Sequence, residues 1–280
     1  MIVVTGAGGQ LGRLVIENLK QHVPADQIVA GARSPEKVAD LGVEVREADY
    51  DRPETLKTAL DGADKVLLIS GNEVGSRVPQ HTAVVEAATQ AGVSLLAYTS
   101  APKADTSPLI LAPEHKATEE VVRASGLPYT ILRNNWYIEN FERAIRQAAQ
   151  TGVYLGSAGE GLVAGTTRAD YAAGAAAVLT GEGHENRVYE LGGDVAFTYA
   201  DLAAAIATVT GKDVTYTDVA PEEHQSALLA AGVPEAMAGF VVALDANTRD
   251  GLLAETTGEL SRLLGRPTTP LAEGVRAILA

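Results

Sequence analysis

Gly6, Gly8, Gly9 and Gly12 stand close together near the start of this chain, in TGAGGQLG, directly behind the apolar run Ile2, Val3 and Val4. Glycine at every third residue lets a backbone turn tightly, approach a pyrophosphate and pack the next helix against its strand. A helix beginning there offers amide hydrogens and positive dipole to an anion. The spacing is GxxGxxG rather than GxGxxG, although Gly6 and Gly8 match the first pair of the dinucleotide fingerprint. An ordinary glycine turn is the plain alternative, and a Walker loop is excluded because no Gly-Lys-Ser/Thr follows. Arg33 lies 21 positions after Gly12, at the end of a second apolar run, where an NAD enzyme carries an acid for the ribose hydroxyls. Its planar guanidinium suits the 2′-phosphate of NADP instead, so NADPH is the expected cofactor. A solvated arginine at a strand end is the competing reading.

Arg133, Asn134, Asn135, Trp136, Tyr137, Ile138, Glu139 and Asn140 form a run of amides and aromatics behind the apolar PYTIL. Amides hydrogen-bond and rings stack, so in a chain with one Trp this run is expected to hold nicotinamide and substrate. The core is the alternative place for Trp136 and Tyr137. His115 and Lys116 are the candidate catalytic residues, with His115 able to donate a proton or hydrogen bond to an acceptor oxygen; a capping or solvated histidine is the other reading. The dehydrogenase couple of a Tyr four residues before a Lys is missing, because Ala112 stands four residues before Lys116 and no other Tyr has a Lys at that spacing. Tyrosinate-driven alcohol dehydrogenation is therefore not expected. Hydride transfer to a quinone stays open, since a hydroquinone monoanion can take its proton from solvent while the protein supplies orientation and dryness. His22, His81, His184 and His224 show no metal-ligand spacing, and Glu222, Glu223 and His224 read as a solvated first helical turn.

Strand ends must position these residues. Apolar runs at residues 2–4, 27–31, 43–46, 65–70, 94–99, 128–132 and 188–191 alternate with helical stretches and carry no hairpin signals. That alternation predicts an α/β fold, a Rossmann-type doubly wound parallel sheet. The run KVLLIS ends at Ser70 and gives way to Gly71, Asn72, Glu73 and Val74, a turn expected beside the glycine loop, where the cofactor passes. Ser34 with Pro35, and Asp51 with Pro53, read as helix starts, while Asp49 lies either near the adenine edge or in a plain loop. The excursion APKADTSPLILAPEHKATEE leaves the carboxyl end of a strand and is expected to wall the substrate pocket. Residues 1–193 are expected to form the NADP-binding domain. Residues 194–280, broken by Pro221, Pro234, Pro267 and Pro270, are expected to form a smaller C-terminal α+β lobe over the substrate side.

Composition narrows the functional classes. No apolar run approaches a membrane span, and there is no charged leader with a cleavage site, so a cytoplasmic protein is expected. The absence of cysteine excludes disulfides, thiolate catalysis and Cys-ligated metal. A formal net charge of −14 argues against nucleic acid or an anionic membrane as partner.

With these motifs in order, the chain resembles the atypical short-chain dehydrogenase/reductases of the NmrA-like group. Within that group it is most similar to the type 2 NADPH:quinone oxidoreductases and the triphenylmethane dye reductases. The resemblance rests on TGAGGQLG, Arg33, LLIS with its polar turn, AYTS, LPYTILRNNWYIENF, TRADYAAGAAAVL and GHENRVYEL, and it runs nearly end to end. It implies NADPH contacts at Gly6, Ala7, Gly8, Gly9, Gln10, Leu11, Arg33, Ser70, Asn72, Glu73, Val74, Asn134, Asn135, Trp136, Tyr137, Ile138 and Glu139. It also implies a quinone-like acceptor beside Trp136 and Tyr137, and it is compatible with a homodimer. AYTSAPKADTSPL looks more like the quinone reductases than the dye reductases. Two other readings share the fold: a reductase of aryl dyes, and a non-catalytic NADP-binding redox sensor.

Overall fold

The structure is a computed structural model describing all 280 residues. Seven strands form one parallel sheet: β1 (Ile2–Val4), β2 (Ile28–Ala32), β3 (Glu44–Glu47), β4 (Lys65–Leu68), β5 (Leu95–Ser100), β6 (Tyr129–Asn134) and β8 (Arg187–Leu191). Their order is β3-β2-β1-β4-β5-β6-β8. The chain winds outward from β1 to β3 and returns to β4 on the other side of β1, which opens a crevice at the carboxyl ends of β1 and β4.

Alternate residues of each inner strand enter opposite cores. Val4, Ala30, Leu67 and Ala97 pack under α1 (Gln10–Leu19) and α6 (Arg168–Thr180), while Val3, Val29, Val66 and Leu96 pack under α2 (Pro53–Ala59), α3 (Arg77–Ala91) and α4 (Ala112–Ala124). Both faces are dry, so the strands read as unbroken apolar runs. Each fully buried Leu, Ile or Val contributes about 1.5–3 kcal/mol. Gly174 of α6 allows a close approach of Leu260: a Cβ there would stand 2.7 Å from Leu260 Cδ1.

Both expected helix starts fall at their prolines, Pro35 and Pro53, and differ only in detail. Residues Pro35–Leu41 form a 3₁₀ helix, and Ser34 makes no side-chain cap. Val38 and Leu41 are its buried residues, three apart, and a three-residue turn stacks them directly on one face. Helix α2 begins behind Arg52 rather than Asp51, whose carboxylate accepts from Gln80 Nε2 at 3.1 Å instead.

A third core builds the lobe. Strand β7 (Val153–Gly156) pairs in parallel with β9 (Thr215–Asp218), in the register Val153 to Thr215. Around this pair pack Ile145 of α5 (Glu142–Thr151), Leu202 and Ile206 of α7 (Tyr199–Thr210), Leu244 of α9 (Glu235–Arg249), and Val275 and Ile278 of α11 (Leu271–Leu279). Leu109 and Ile138 join it as well. The division expected at 193/194 is therefore not where the lobe begins. A parallel partner for β9 must come from across a long connection, so the lobe borrows β7 and α5 from upstream. In the other direction, α10 (Glu259–Leu264) returns Leu260 to the core under α6. Helix α8 (Pro221–Ala230) completes the lobe beside α9.

Gly12 is the tightest point of the first turn: a Cβ there would lie 2.5 Å from Gly6 O and 2.8 Å from Ala7 Cα. Gly12→Ala is expected to cost about 1–3 kcal/mol in thermal or urea unfolding. Gly8→Ala, with nothing nearer than 4.0 Å, should unfold like the wild type. Equal stability of the two variants would remove the packing role given to Gly12.

Candidate functional site

Strand β1 leads into Thr5, whose Oγ1 donates to Leu67 O and pairs with the Tyr50 hydroxyl. Gly6 then takes φ +65, with Ile69 Cβ 3.3 Å from where its own Cβ would stand. The loop closes through Gly9 N donating to Gly6 O at 3.0 Å, and α1 starts at Gln10 with no side-chain cap and no acid in its first turn. Its first amides have no intrahelical acceptors, so they are free for an anion. Arg33, beyond β2, and Glu73, beyond β4, meet across the end of β1 with Nη1 to Oε1 at 3.2 Å. Glu73 also accepts from Gln80 at 3.2 Å. Both charges of the Arg33–Glu73 pair are largely solvated, so an incoming phosphate can compete for the guanidinium at little cost.

These groups share one cavity of about 1190 Å³. Its lining takes in Gly6, Gly8, Gly9, Gln10, Leu11 and Gly12, then Arg33, Ser34 and Lys37, then Ser70, Asn72, Glu73 and Val74. Asn134, Asn135, Trp136 and Tyr137 line it farther in, and Phe240, Val241 and Leu244 of α9 close the far end. Tyr137 is held by Tyr171, centroids 5.0 Å apart, by Arg168 4.9 Å over its ring, and by Asn134 Nδ2 donating to its hydroxyl at 3.1 Å. Asn135 is locked: Nδ2 donates to Leu253 O and Oδ1 accepts from Trp136 N. Trp136 packs on Phe141 at 6.4 Å, so it serves cavity wall and lobe core together.

Asn134 Oδ1 and Trp136 Nε1 are buried polar atoms without a partner in the protein. Leaving such groups unpaired costs roughly 1–3 kcal/mol each, which a ligand offering a complementary amide would recover. With the uncapped helix and the side-chain-free loop, these residues fit a nicotinamide dinucleotide.

Several expected site residues lie elsewhere. Ala7 is fully buried in the core and uses its amide on Gly31 O. Ile138 is core, packed where Gly274 leaves room for it. Glu139 accepts from the Arg168 amide at 2.9 and 3.1 Å, capping the start of α6, and does not line the cavity. Lys116 is exposed and outside the cavity, because α4 turns about 100° per residue and His115 takes the inward position. His115 lines the cavity, with Nδ1 2.8 Å from the Tyr98 hydroxyl. Burial, with Arg77 and His81 nearby, pulls it down to about 3, so it is neutral and serves as a hydrogen-bonding group rather than a charged acid. His224 is not in a solvated turn: it is 5% exposed and lines the cavity with Tyr199 and Asp245. A helical period from His224 through Ala227 and Leu228 is the one signal in the sequence that hints at this inward face.

His81 is also held neutral, lowered to about 4 by burial and by Arg77; its Nε2 accepts from Gly71 N at 3.0 Å behind the cavity. An unfolded chain protonates both imidazoles near pH 6.5, while the folded chain does so only near 4 and 3. Below pH 6.5 the unfolded state binds more protons, so stability falls as pH drops from 6.5 toward 4. The double variant His81→Gln, His115→Gln should show a shallower fall in Tm over that window. Parallel Tm curves would contradict the neutral pair.

The profile of the NAD(P)H-binding family matches residues 6–182. Quinone oxidoreductase 2 of Escherichia coli (strain K12) is 49% identical over 278 residues, covering 98% of this chain and 97% of that protein. The crystal structure of the NADPH-dependent quinone oxidoreductase from Escherichia coli in complex with NADPH superposes with a TM-score of 0.96 at 48% identity, covering all of both chains. That of Citrobacter sp. triphenylmethane reductase with NADP(H) gives 0.95 at 42% identity, over 99% of this chain and all of that one. A glycine loop at a sheet reversal, an uncapped helix behind it and a groove closed by Arg33 thus belong to a chain that is a member of the NAD(P)H-binding family.

Proposed function

We propose that this protein is an NADPH-dependent reductase of quinones. The observation that carries the reading is continuity: the groove that fits a dinucleotide runs, without a partition, into an apolar and aromatic chamber lined by Trp136, Phe141, Phe240, Val241 and Leu244. Apolar walls with a few polar groups suit a flat conjugated acceptor. NADPH, when bound, supplies the hydride.

The chain's own residues bind, orient and exclude water. The loop Gly6 to Gly12 and the start of α1 hold the pyrophosphate, while Arg33 and Lys37, both exposed at the mouth, hold the 2′-phosphate. Asn134 Oδ1 and Trp136 Nε1 offer an acceptor and a donor to the carboxamide end. His115 keeps one ring nitrogen on Tyr98 and stands neutral on the wall. Holding two flat reactants against each other in a dry chamber provides orientation, the main contribution a hydride transfer asks of its protein. The apolar and aromatic lining of the chamber and the likeness to the triphenylmethane reductase favour aryl dyes as a second acceptor class. A redox sensor would need the groove but not the chamber.

The direct check follows the loss of NADPH absorbance with small quinones and one cationic triarylmethane dye, with NADPH binding measured alongside. Quinone turnover is the expected result; tight NADPH binding without turnover on any acceptor would favour the sensor. In the same assay, Arg33→Asp should weaken NADPH roughly ten- to a hundredfold, as expected for lost charge-assisted bonds, and change NADH only a few-fold. Equal weakening of the two would contradict the phosphate role of Arg33.

A further inference from the structure

Ser157, Tyr199, His224 and Asp245 meet in the lobe core, between 1% and 5% exposed. Asp245 Oδ2 accepts from the Ser157 amide at 2.7 Å and from Ser157 Oγ at 3.0 Å, while Oδ1 accepts from the Tyr199 hydroxyl at 2.8 Å. His224 Nδ1 lies 3.0 Å from Asp245 Oδ2 and 3.2 Å from Ser157 Oγ. A carboxylate has no hydrogen to give, so Nδ1 carries it and the tautomer is fixed. Nε2 makes no hydrogen bond within the protein and is not sealed in the core.

This is not a nucleophilic triad. Ser157 and Asp245 share one ring nitrogen, whereas that chemistry places the serine on Nε2 and the carboxylate on Nδ1. Packing alone does not account for the cluster either, because apolar residues of like volume hold a core at least as well as a buried ion pair. His224 and Asp245 line the cavity where α8 and α9 otherwise present Leu228, Phe240, Val241 and Leu244. Both oxygens of Asp245 are already occupied, so among these neighbours Nε2 is the polar atom left for a ligand.

We propose that His224 is the anchor and proton donor for the acceptor's oxygen, positioned by Asp245, Ser157 and Tyr199. The inference rests on the reading of this protein as a quinone reductase and adds a residue to its acceptor site. As an imidazolium, His224 donates from Nε2 to a quinone carbonyl. A quinone that has taken up a hydride is a hydroquinone monoanion; its phenolate oxygen takes the Nε2 proton, the N–H bond breaking as the O–H bond forms. The ring is left neutral, now able to accept from the hydroquinone O–H, and one proton from solvent restores it. Asp245 accepts from Nδ1 throughout and so holds the ring in place; Tyr154, Tyr199 and Tyr216 crowd the same carboxylate, and Arg249 donates to Ser157 O at 3.0 Å.

The test is titration of the uniformly ¹⁵N-labelled protein with hydroquinone, observing imidazole nitrogens, with His224→Gln assigning the resonance. The Nε2 signal of His224 should move, and that of exposed His22 should not. His224→Gln should weaken hydroquinone binding and lower quinone kcat/KM roughly ten- to a hundredfold while NADPH binding is unchanged. Asp245→Asn should keep Nε2 responsive but lower kcat more than it raises KM. Should the His224 variant not fold, the wild-type titration decides alone. A wild type that reduces quinone while His224 Nε2 stays unmoved at saturating hydroquinone overturns the role of His224 only; a wild type that binds NADPH yet reduces no quinone overturns both readings.

Discussion

A parallel sheet covered on both faces has no room for polar chemistry except at its strand ends, and that constraint organises this molecule. Thr5, Arg33, Ser70, Ser100 and Asn134 all stand at or just past the carboxyl ends of their strands, while the residues behind them are dry. The reversal of strand order beside β1 then decides where those ends converge. Arg133 fixes the last of them. Its guanidinium donates to Glu119 at 2.8 and 2.6 Å and to Glu190 at 2.8 Å, and pairs with Asp105 at 3.0 Å. One side chain thereby ties β6 to α4, β8 and the excursion after β5, so the following residues, Asn134 to Tyr137, are presented by a rigid strand end. Removing one member of such a buried network leaves uncompensated charge at a cost of roughly 3–5 kcal/mol.

The lobe answers a different problem. A groove at strand ends is open to water, and hydride chemistry needs it closed. The chain covers the groove with α8 and α9, which pack on each other; α9 joins the lobe core through Leu244 and brings Phe240, Val241 and Leu244 over the cavity. Because β7 is taken from upstream, the cover is woven into the residues behind Asn134 instead of hinging from them. Trp136, shared between wall and lobe core, sits at the join.

What was legible in the sequence was local. The loop after Val4, the arginine after Ala32 and the amide run after Leu132 each follow a strand whose apolar run is unmistakable, and the strand end fixes their place. Where a position depended on which way a helix faces, the sequence was mute. His115 and Lys116 are neighbours on α4, yet one lines the cavity and the other meets water. Ala7, Ile138 and Glu139 lie within motifs whose other members line the groove, and packing turns them away from it. His224 was hidden for a further reason: its partners Ser157 and Asp245 are 67 and 21 residues away, joined only by the fold of the lobe. The lobe boundary failed on the same ground, since parallel pairing between β7 and β9 leaves no local mark.

Amide hydrogen exchange in two steps tests most directly whether groove and chamber are one site with two occupants. NADPH should slow exchange in residues 6–12, 33–37 and 70–74. Hydroquinone, added to the protein with NADP⁺ in place, should then slow exchange in residues 221–249. Protection by hydroquinone that bypasses α8 and α9, or NADPH protection that leaves the glycine loop unchanged, would contradict a cofactor groove opening into an acceptor chamber beneath the lobe.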